Sequence, residues 1–570
     1  MAGREIAPKI TKSPEPTRSS TAEGHGVPAD NVGRGSDVPD GVEDLGTPSH
    51  ALCTETGRPR EGTAAMVSGG HGREGESRNP QQSSEESDAL VVPTCEKLAK
   101  TWVTPVESME GRSAAKGKPA LRNASPAQDG QGALTYLERV GQRAREKKEE
   151  RFNNLLSHIK VPLLKEAYQR LCKDAAPGVD GVTWSEYGEN LDARLLDLQD
   201  RVHRGSYHPQ PVRRVHIPKG DGRSTRPLGI PSLEDKVVQQ AARMLLEPIY
   251  EREFLGFSYG FRPGRSPHRA LDALEAAISG KLDWVLDADI RAFFDTIDHA
   301  WMQKFIEHKI ADTRMVRLLM KWLHAGVMED GELRAVEEGT PQGGIISPLL
   351  ANVYLHYVLD LWVSSWRKRH ARGEVYVVRY ADDFVMGFQR EQDARTMHKA
   401  LAERLATFGL ELHPDKTRVI RFGRFAHRDC RLDGRTRPET FDFLGFTHII
   451  AVDPKTRSVR LIRRTSRKKR KAKLASLRRQ MRERRHDPPR EQHAWLSSVL
   501  RGHYCYYGVP RNFPALKSFY RHVRQSWHRS LQGRSQRACW TRERHSAFEA
   551  RFPLPLPRIT RPRPRRLPGP

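Results

Sequence analysis

The sequence predicts an α+β fold divided into several packed units. The pattern of elements predicts the fold class, and the length of the chain predicts the division. Segments with helical spacing of apolar residues are interrupted by short strands and hairpins, and this order of elements is typical of α+β proteins. The chain of 570 residues is also too long for a single hydrophobic core. We therefore expect roughly two or three packed units joined by linkers.

The first predicted segment, residues 1–130, is a disordered low-complexity extension. It is rich in Gly, Pro, Ser, Thr and Glu, and it shows no sustained helical or strand period. Such a composition buries too little apolar surface to offset the conformational entropy that ordering removes.

Order is predicted to begin near Ala133, where apolar residues take up helical spacing. Turn residues break that pattern at 176–181. The elements predicted after the turn are, in order, a hairpin between Tyr207 and Leu228, a helix over 233–253, a strand at 284–286, a helix over 301–325, a hairpin over 375–388 and helices from Arg463 onward.

The net charge of +27 is concentrated at the end of the chain. Residues 455–570 contain 33 Lys and Arg against 5 Asp and Glu, whereas residues 1–454 are nearly neutral. Such a concentration is typical of a face that binds a polyanion, since each neutralised phosphate releases condensed counterions. Nucleic acid is the predicted partner; the alternative is a solvated charged run that aids solubility.

Composition argues against secreted and membrane proteins. The six cysteines include no C-x-x-C pair, so neither a disulfide scaffold nor a thiolate zinc site is expected. The N-terminus lacks the apolar core of a signal peptide, and no run approaches the length of a membrane span. His216, His268, His299 and His356 are scattered across unrelated segments and do not support a histidine metal site. We expect a cytoplasmic protein without a membrane partner.

The predicted hairpin over 375–388 carries two adjacent carboxylates, Asp382 and Asp383, at its tip. Two like charges ~4 Å apart repel by about 4 kcal/mol at an effective dielectric constant near 20, so the site requires a cation. Oxygen ligands without a neighbouring His or Cys favour magnesium.

A second acidic strand end contains Asp287, Asp289 and Asp295. Carboxylates from two strands are what a two-metal site for phosphoryl transfer needs, with ions roughly 3.5–4 Å apart. Each motif alone is of modest specificity, because an Asp-Asp pair at a turn is commonly a surface feature.

In the order of its motifs the sequence resembles the reverse transcriptases, and among them the group II intron-encoded reverse transcriptase/maturases. The matching pieces are PGVDGVTW (177–184), IPKGDGRSTRPLGIPSLEDK (217–236), GFSYGFRPGRSPHRAL (256–271), DIRAFFDTIDH (289–299), GTPQGGIISPLLANVYL (339–355), RYADDFVMGF (379–388), LHPDKT (412–417), FDFLGF (441–446) and LRGHYCYYGVP (500–510).

The resemblance implies the domain layout. It implies a right-hand polymerase whose fingers and palm occupy residues 131–450, followed by an all-helical, basic thumb/maturase domain over 455–540 and a Pro/Arg-rich tail over 541–570. Many members continue into an HNH endonuclease with cysteine pairs. No such pair is present, so we expect the endonuclease-lacking type.

The resemblance also implies the catalytic groups. Asp289, Asp382 and Asp383 would hold two Mg²⁺ ions, and the backbone carbonyl of Ile290 would touch one of them. Lys416 would protonate the pyrophosphate that leaves. The alternatives are that the aspartates serve a turn or a cap and that Lys416 is a surface helix cap. Asp287, Asp295 and Asp298 are assigned to folding or support, because their spacing does not match the family's ligands.

Further positions match the nucleotide site of the family. Lys219 and Arg226 would clamp the triphosphate, with Arg223 as an alternative to Arg226. Phe294 would exclude a 2′-hydroxyl, and Gln342 would line the nucleotide and template pocket. The alternatives are a solvated hairpin for the clamp and core packing for Phe294.

The basic C-terminal region would grip RNA. The residues expected to do so are Arg467, Lys468, Lys469, Arg470, Lys471, Arg501, Tyr504 and Arg511. Tyr504 would stack on unpaired bases; helical core packing is the competing interpretation.

The predicted function is an RNA-directed DNA polymerase that also binds its group II intron RNA to assist splicing. The expected partners are intron RNA, RNA template, DNA primer, target DNA and dNTPs, in a bacterial cytoplasm and at the nucleoid when DNA is bound. Two alternatives remain open: a splicing cofactor with an inactive polymerase, and a retron-like or defence-associated reverse transcriptase.

Overall fold

The part of the chain that this computed structural model describes runs from residue 128 to 561, without 148, 219–224, 280, 330–331, 335–338, 340–342, 454–458 and 535–540. These residues belong to one compact unit of the chain. The predictions for residues 1–127, Lys219, Arg223, Gln342 and the end of the tail lie outside the described residues.

The first half of the unit is mostly helical and contains one predicted hairpin. Its elements are α1 (Gln128–Glu146), α2 (Val161–Arg170), α3 (Trp184–Gly188), α4 (Leu191–Arg204), β1 (Val212–Pro218), β2 (Thr225–Ile230), α5 (Leu233–Glu253), α6 (Pro267–Ser279), β3 (Trp284–Asp289), α7 (His299–Lys309), α8 (Thr313–Leu323), β4 (Val327–Glu329) and β5 (Glu332–Arg334).

The second half carries two more sheets and the basic helices. Its elements are α9 (Ser347–Leu355), α10 (Leu361–Arg369), β6 (Val375–Tyr380), β7 (Asp383–Phe388), α11 (Glu391–Ala406), β8 (Arg418–Arg421), α12 (Ala426–Leu432), β9 (Phe441–Phe443), β10 (Phe446–Val452), β11 (Val459–Thr465), α13 (Arg467–Glu483), α14 (Pro489–Tyr507), α15 (Phe513–Gln532) and α16 (Arg542–Arg551).

The sheet that positions the carboxylates has the strand order β6-β7-β3-β8, and every neighbouring pair in it is antiparallel. Its side chains alternate between two cores, as the period of two requires. Leu286 and Phe384 pack on one face against helices that include α5 and α9. Val285 and Val385 pack on the other face with β9, β10 and α13–α15. The sheet therefore lies between the two cores of the unit.

Two further sheets flank this one. Strands β1 and β2 form the predicted hairpin and join β4 and β5 in the order β2-β1-β4-β5. Strands β9, β10 and β11 form a three-stranded antiparallel sheet. The mixture of helices with sheets that are antiparallel except for the parallel β1–β4 pair confirms the predicted α+β class.

Two predicted boundaries need correction. The region 455–540 is not all helical, because β11 pairs with β10 along its whole length and the helices begin only at Arg467. A boundary between 450 and 455 would cut this hairpin. The helix predicted over 301–325 is two helices, because the carboxylate of Asp312 accepts hydrogen bonds from Arg314 N and Met315 N and starts a new helix.

Among the helices in the described ranges, none combines the length and the apolar character that crossing a lipid bilayer requires.

Candidate active site

The predicted carboxylates come together at one end of the β6-β7-β3-β8 sheet. Asp289 ends β3 and stands directly opposite Asp383, the first residue of β7. Directly opposed residues in an antiparallel pair have Cβ atoms about 4.5–5.5 Å apart and point to the same face. Asp382 precedes Asp383 in the two-residue turn that joins β6 to β7. The structure therefore brings Asp289, Asp382 and Asp383 to one place.

The carboxylates at this end of the sheet are both buried and crowded. Burial, together with the charges of Asp382, Asp287 and Asp289, raises the pKa of Asp383 to about 8, against a hydrogen bond from the backbone N–H of Leu444. Burial also raises the pKa of Asp287 to about 6, with Asp442 and Asp289 adding to the effect of burial. A divalent cation would relieve this repulsion, and hard carboxylate oxygens suit magnesium.

Asp287 lies closer to the predicted metal ligands than the sequence indicated, since its charge interacts with those of both Asp383 and Asp289. It lies two residues before Asp289, and hence on the same face of β3. Its carboxylate Oδ2 is 3.8 Å from Nε of Arg418. The alternation of β3 already carried this information, because residues i and i+2 of a strand share a face. Asp298, in contrast, accepts a hydrogen bond from Trp301 N and caps α7, as the assignment to folding predicts.

Lys416 lies beside Asp289. Its Nζ donates to Oδ2 of Asp289, and the chain is held nearby because His413 N donates to the carbonyl of Asp289 at 2.8 Å. The interpretation of Lys416 as a helix cap is wrong, since it sits in a turn before β8. The Lys416 side chain is 59% exposed, so this ion pair contributes little to stability and can be exchanged for other partners.

The backbone carbonyl of Ile290 takes no part in the hydrogen bonds of the β-bridge at this residue. Ile290 pairs with Leu412 in an isolated antiparallel bridge. The hydrogen bonds of that bridge use the carbonyl of Asp289 and the amide of Arg291, on either side of Ile290. This arrangement is compatible with the predicted contact between the Ile290 carbonyl and a metal ion.

A buried ion pair fixes the turn that carries Asp382. Arg379 is fully buried and donates through Nε to Oδ1 of Asp360 at 2.7 Å, with Nη2 bonded to Oδ2 at 2.5 Å. Its Nη1 donates to the carbonyl of Ala381 at 3.0 Å and to Asn352 Oδ1 at 2.9 Å. Asn352 in turn donates to the carbonyl of Gly260 at 2.7 Å.

Ala381 has a φ of +57°, a left-handed conformation that costs a residue with a side chain of order 1–3 kcal/mol. Gly260 packs so closely on this turn that an added Cβ would lie 2.2 Å from Ala381 N. The turn conformation is therefore imposed by Arg379, Asp360 and Gly260, and this support places the two aspartates beside Asp289.

The predicted nucleotide residues are only partly described. The backbone of Arg226 pairs with Ile217 in the β1–β2 hairpin. Phe294 is half-buried in a 3₁₀ turn after β3, with its ring edge on Phe293 at 5.3 Å between centroids. It follows Asp289 by five residues and lies only partly within the core.

Gly343 allows a close approach between two segments of backbone. Its φ is +126°, and an added Cβ would lie 2.3 Å from the carbonyl oxygen of Gly229. The loop is thus fitted against the backbone of β2. The close approach that this glycine permits here is to another strand of the chain.

In the basic region, one predicted RNA contact is wrong. Tyr504 is 1% exposed and its hydroxyl donates to the carbonyl of Pro555 at 3.0 Å, so its ring belongs to the core and cannot stack on a base. Arg501 is exposed, and Arg511 is half-buried with a φ of +67°. On α13 the buried residues are Leu474, Leu477 and Met481. In the basic run 467–471 every residue is exposed except Arg470, which is half-buried.

The start of α13 is connected to the acidic end of the sheet. Ser466, which precedes α13, donates through Oγ to Oδ2 of Asp442 at 2.8 Å. Asp442 is close enough to Asp287 to raise its pKa. The basic helix therefore begins next to the carboxylate cluster.

Comparison with known proteins agrees with this geometry. Residues 217–448 match the family model described as reverse transcriptase (RNA-dependent DNA polymerase). Protein YkfC of Escherichia coli is 37% identical over 276 residues, which cover 43% of this chain and 72% of YkfC. The chain belongs to the reverse transcriptase family.

Intron proteins are among the relatives of this family member. The group II intron-encoded protein LtrA of Lactococcus lactis is 38% identical over 240 residues, covering 42% of this chain and 40% of LtrA. Nuclear intron maturase 2 of Arabidopsis thaliana mitochondria is 25% identical over 315 residues, covering 47% of this chain and 40% of the maturase. The chain thus spans well under half the length of these two relatives. The predicted resemblance to group II intron-encoded reverse transcriptases and maturases is confirmed.

Reverse transcriptases generally use divalent metal ions, and the side chains of this member fit such ions. The matched residues include all three predicted carboxylates. Their acidic oxygens converge without a histidine or cysteine in the set, and burial together with their mutual repulsion raises the pKa of Asp383. Oxygen-rich, negatively charged sites are those that hard divalent cations occupy.

The raised pKa of Asp383 predicts how the stability of the metal-free protein depends on pH. Its carboxyl titrates near pH 8 when folded but near its ordinary value of 3.8 when unfolded. Between these values the folded state keeps a proton that the unfolded state loses, so this group makes the protein less stable as the pH rises from about 4 to about 8. Urea unfolding in EDTA at several pH values measures the effect. Asp383→Asn should remove this part of the pH dependence; an unchanged dependence in the variant would contradict the assignment.

Proposed function

We propose that the protein is an RNA-directed DNA polymerase encoded by a group II intron, and that it also binds the intron RNA to assist splicing. The observation that carries the first part is the register of Asp289 opposite Asp383, with Asp382 in the adjoining turn. Neither a structural turn nor a helix cap requires carboxylates from two strands to share one position.

The proposed layout follows that of a right-hand polymerase. The β6-β7-β3-β8 sheet would form the palm, and the β1–β2 hairpin would belong to the fingers. Helices α13–α15 would form the thumb and maturase domain, preceded by the sheet of β9–β11.

In the proposed reaction, Asp289, Asp382 and Asp383 would hold two Mg²⁺ ions, with the carbonyl of Ile290 as a further ligand. When bound, such ions activate the 3′-hydroxyl of the primer and stabilise the charge on the transferred phosphate. Lys416 would hold the proton that the pyrophosphate receives, since its ammonium group lies beside Asp289. Lys219, Arg226 and Gln342 would bind the incoming dNTP.

Extension of a DNA primer on an RNA template tests the polymerase. With Mg²⁺ and dNTPs the full chain should give products that reach the end of the template. Absence of extension, together with specific binding to the RNA of the intron that encloses its gene, would favour a splicing cofactor with an inactive polymerase. Extension without any effect on splicing of that intron would favour a retron-like or defence-associated enzyme. The test uses purified protein, so its outcome does not depend on the proposed location in a bacterial cytoplasm.

The role of Phe294 in sugar selection gives a sharper expectation. If its half-buried ring excludes the 2′-hydroxyl, Phe294→Val should raise the incorporation of ribonucleotides relative to deoxynucleotides by about 10–200-fold, the usual range for opening a pocket by a small apolar group. Phe294→Tyr keeps the ring and is the matched control. Equal sugar discrimination in the Val variant and the wild type would show that the ring only fills the core.

RNA binding by the basic helix can be measured through its salt dependence. Arg467, Lys468 and Lys471 are exposed on α13, and their substitution by Gln should lower affinity for RNA at low salt. Each lost phosphate contact should also reduce the slope of log affinity against log salt by about 0.7–0.9. The control replaces Arg390, Arg395 and Lys399, which are exposed at α11, by Gln. If both triple variants change the slope equally, only overall charge matters and α13 has no special role.

A further inference from the structure

We propose that His528, His545 and Glu549 form a binding site for one zinc-class divalent ion that fastens α16 to α15. This inference is independent of the proposed polymerase site. It concerns a cluster of side chains in the basic helical region that neither the sequence motifs nor the polymerase reaction uses.

The three side chains offer metal-ligating atoms at suitable separations. One nitrogen from each histidine and one carboxylate oxygen of Glu549 all lie within 4.8 Å of one another. Nε2 of His528 is 3.2 Å from Oε1 of Glu549, and Nδ1 of His545 is 4.0 Å from Oε2. Two ligands bound tetrahedrally at 2.0–2.1 Å from zinc are about 3.3 Å apart, so small side-chain movements suffice.

Two helices supply the ligands in complementary ways. His545 and Glu549 are four residues apart on α16 and therefore share one face of that helix. His528 lies on α15, and its ring is nearly perpendicular to that of His545, at 3.6 Å between centroids. Nδ1 of His528 and Nε2 of His545 are in contact. An ion at this place would connect the two helices directly.

The hydrogen bonds of the cluster are incomplete. Within the described residues, the buried atoms Nε2 of His528 and Oε1 of Glu549 make no hydrogen bond of acceptable geometry, although they are close to each other. The other charged neighbour is Arg524, whose Nε lies 3.1 Å from Oε1 of Glu549. The ion pair with Arg524 uses Oε1, the oxygen that also faces His528, so a metal ion would bind the other oxygen, Oε2, which faces Nδ1 of His545.

The ligand types select the class of ion. Two imidazoles and one carboxylate suit Zn²⁺, and a set of three protein ligands leaves a fourth position for water. The carboxylates at Asp289, Asp382 and Asp383 suit Mg²⁺ instead. The two sites can therefore be told apart by the metal that each prefers.

A bound ion would stabilise the packing of α16, because this helix has few other contacts that hold it in place. The helix has no fully buried residue in its span, although Phe548 packs edge-on against Trp527 at 5.1 Å between ring centroids. The chain after it returns to α14, where Tyr504 donates to Pro555 and Thr560 Oγ1 donates to the carbonyl of Tyr504 at 2.7 Å. Metal binding would add directly to the stability of this C-terminal segment.

The experiment measures zinc bound to the full chain, by elemental analysis after dialysis and by titration with a chromophoric competitor. We expect one zinc per chain that is lost in His528→Ala and in Glu549→Gln. The expected loss of affinity exceeds the roughly 10–100-fold that removal of an outer-shell partner costs. His522→Ala is the matched control. His522 is an exposed histidine on α15, the helix that carries His528, and its Nδ1 contacts the carbonyl of Ser518.

Two further readouts separate metal binding from misfolding. Cobalt substitution should give the absorption of a four-coordinate site in the wild type and in His522→Ala only. Zinc should also slow proteolysis within α16 in these two proteins and not in Glu549→Gln, which keeps the shape of the side chain. If Glu549→Gln and His528→Ala bind as much zinc as the wild type, or the wild type binds none, the cluster is an ordinary polar contact and the inference is overturned.

Discussion

Asp383→Asn is expected to lower the rate of primer extension by at least about 10³-fold, since loss of several kcal/mol of charge stabilisation costs a factor of ten for each 1.36 kcal/mol. The substitution keeps the size of the side chain and the place of Asp383 opposite Asp289. It removes one negative charge from the cluster that would hold the ions. Single-turnover extension of a DNA primer on an RNA template is the measurement.

The control for this prediction is Asp433→Asn, the same chemical change at an exposed carboxylate after α12. It should leave extension unchanged. Asp383→Asn should also fold normally, and in the absence of metal it should be at least as stable as the wild type at pH 8, because a carboxyl whose pKa is raised by burial and repulsion is replaced by a neutral group. Extension by Asp383→Asn at the wild-type rate would show that this carboxylate has no catalytic role.

Asp360→Asn is expected to destabilise the protein by about 3–5 kcal/mol, because it leaves the guanidinium of Arg379 buried without its counter-charge. The loss should also reduce extension, since Arg379 supports the carbonyl of Ala381 in the turn that carries Asp382. Urea unfolding gives the free energy, and extension at a temperature where the variant is folded gives the effect on the site. The matched control is Glu391→Gln, which removes the exposed Glu391–Arg395 ion pair and should cost less than about 1 kcal/mol.

A double variant separates stability from placement of the turn. Asp360→Leu with Arg379→Met replaces the buried pair by apolar groups and should recover much of the lost stability. It cannot restore the hydrogen bond to Ala381, so extension should stay low. If the double variant recovered both its stability and its rate of extension, the ion pair would contribute only to folding.

The strands that carry the carboxylates could be predicted because their signal is local. Alternation over 375–388 and the apolar run at 284–286 predicted both strands, although β3 continues to Asp289 and β7 begins at Asp383. Which strands become neighbours depends on contacts distant in sequence, and here the resemblance to reverse transcriptases supplied the pairing that periodicity cannot. The strand β11 was missed because its arginines, Arg460, Arg463 and Arg464, are typical of the basic helix that follows.

The buried ion pair that holds the turn of Asp382 could not be predicted either, because it also depends on a contact between residues that no local pattern connects. The partner of Arg379 is Asp360, in a π-helical turn between α9 and α10, and no local pattern connects the two. Tyr504 shows the opposite difficulty. Arginines and aromatic residues alternate around it, but only the packing of α14 against the returning chain shows that its ring is buried. His528 and Glu549 are brought together by the packing of two helices, which their spacing in sequence does not reveal.

The most direct measurement of the central claim locates the metal ions. Anomalous scattering from Mn²⁺ should be recorded on crystals of the protein with an RNA template, a DNA primer ending in a dideoxynucleotide and the next dNTP. The account predicts two peaks roughly 3.5–4 Å apart, both within bonding distance of carboxylate oxygens of Asp289, Asp382 and Asp383. Lys416 should then have left Asp289 and turned towards the leaving phosphates. Peaks at other residues, or an Asp289 still paired with Lys416 while a nucleotide is bound and no ion lies beside it, would contradict the account.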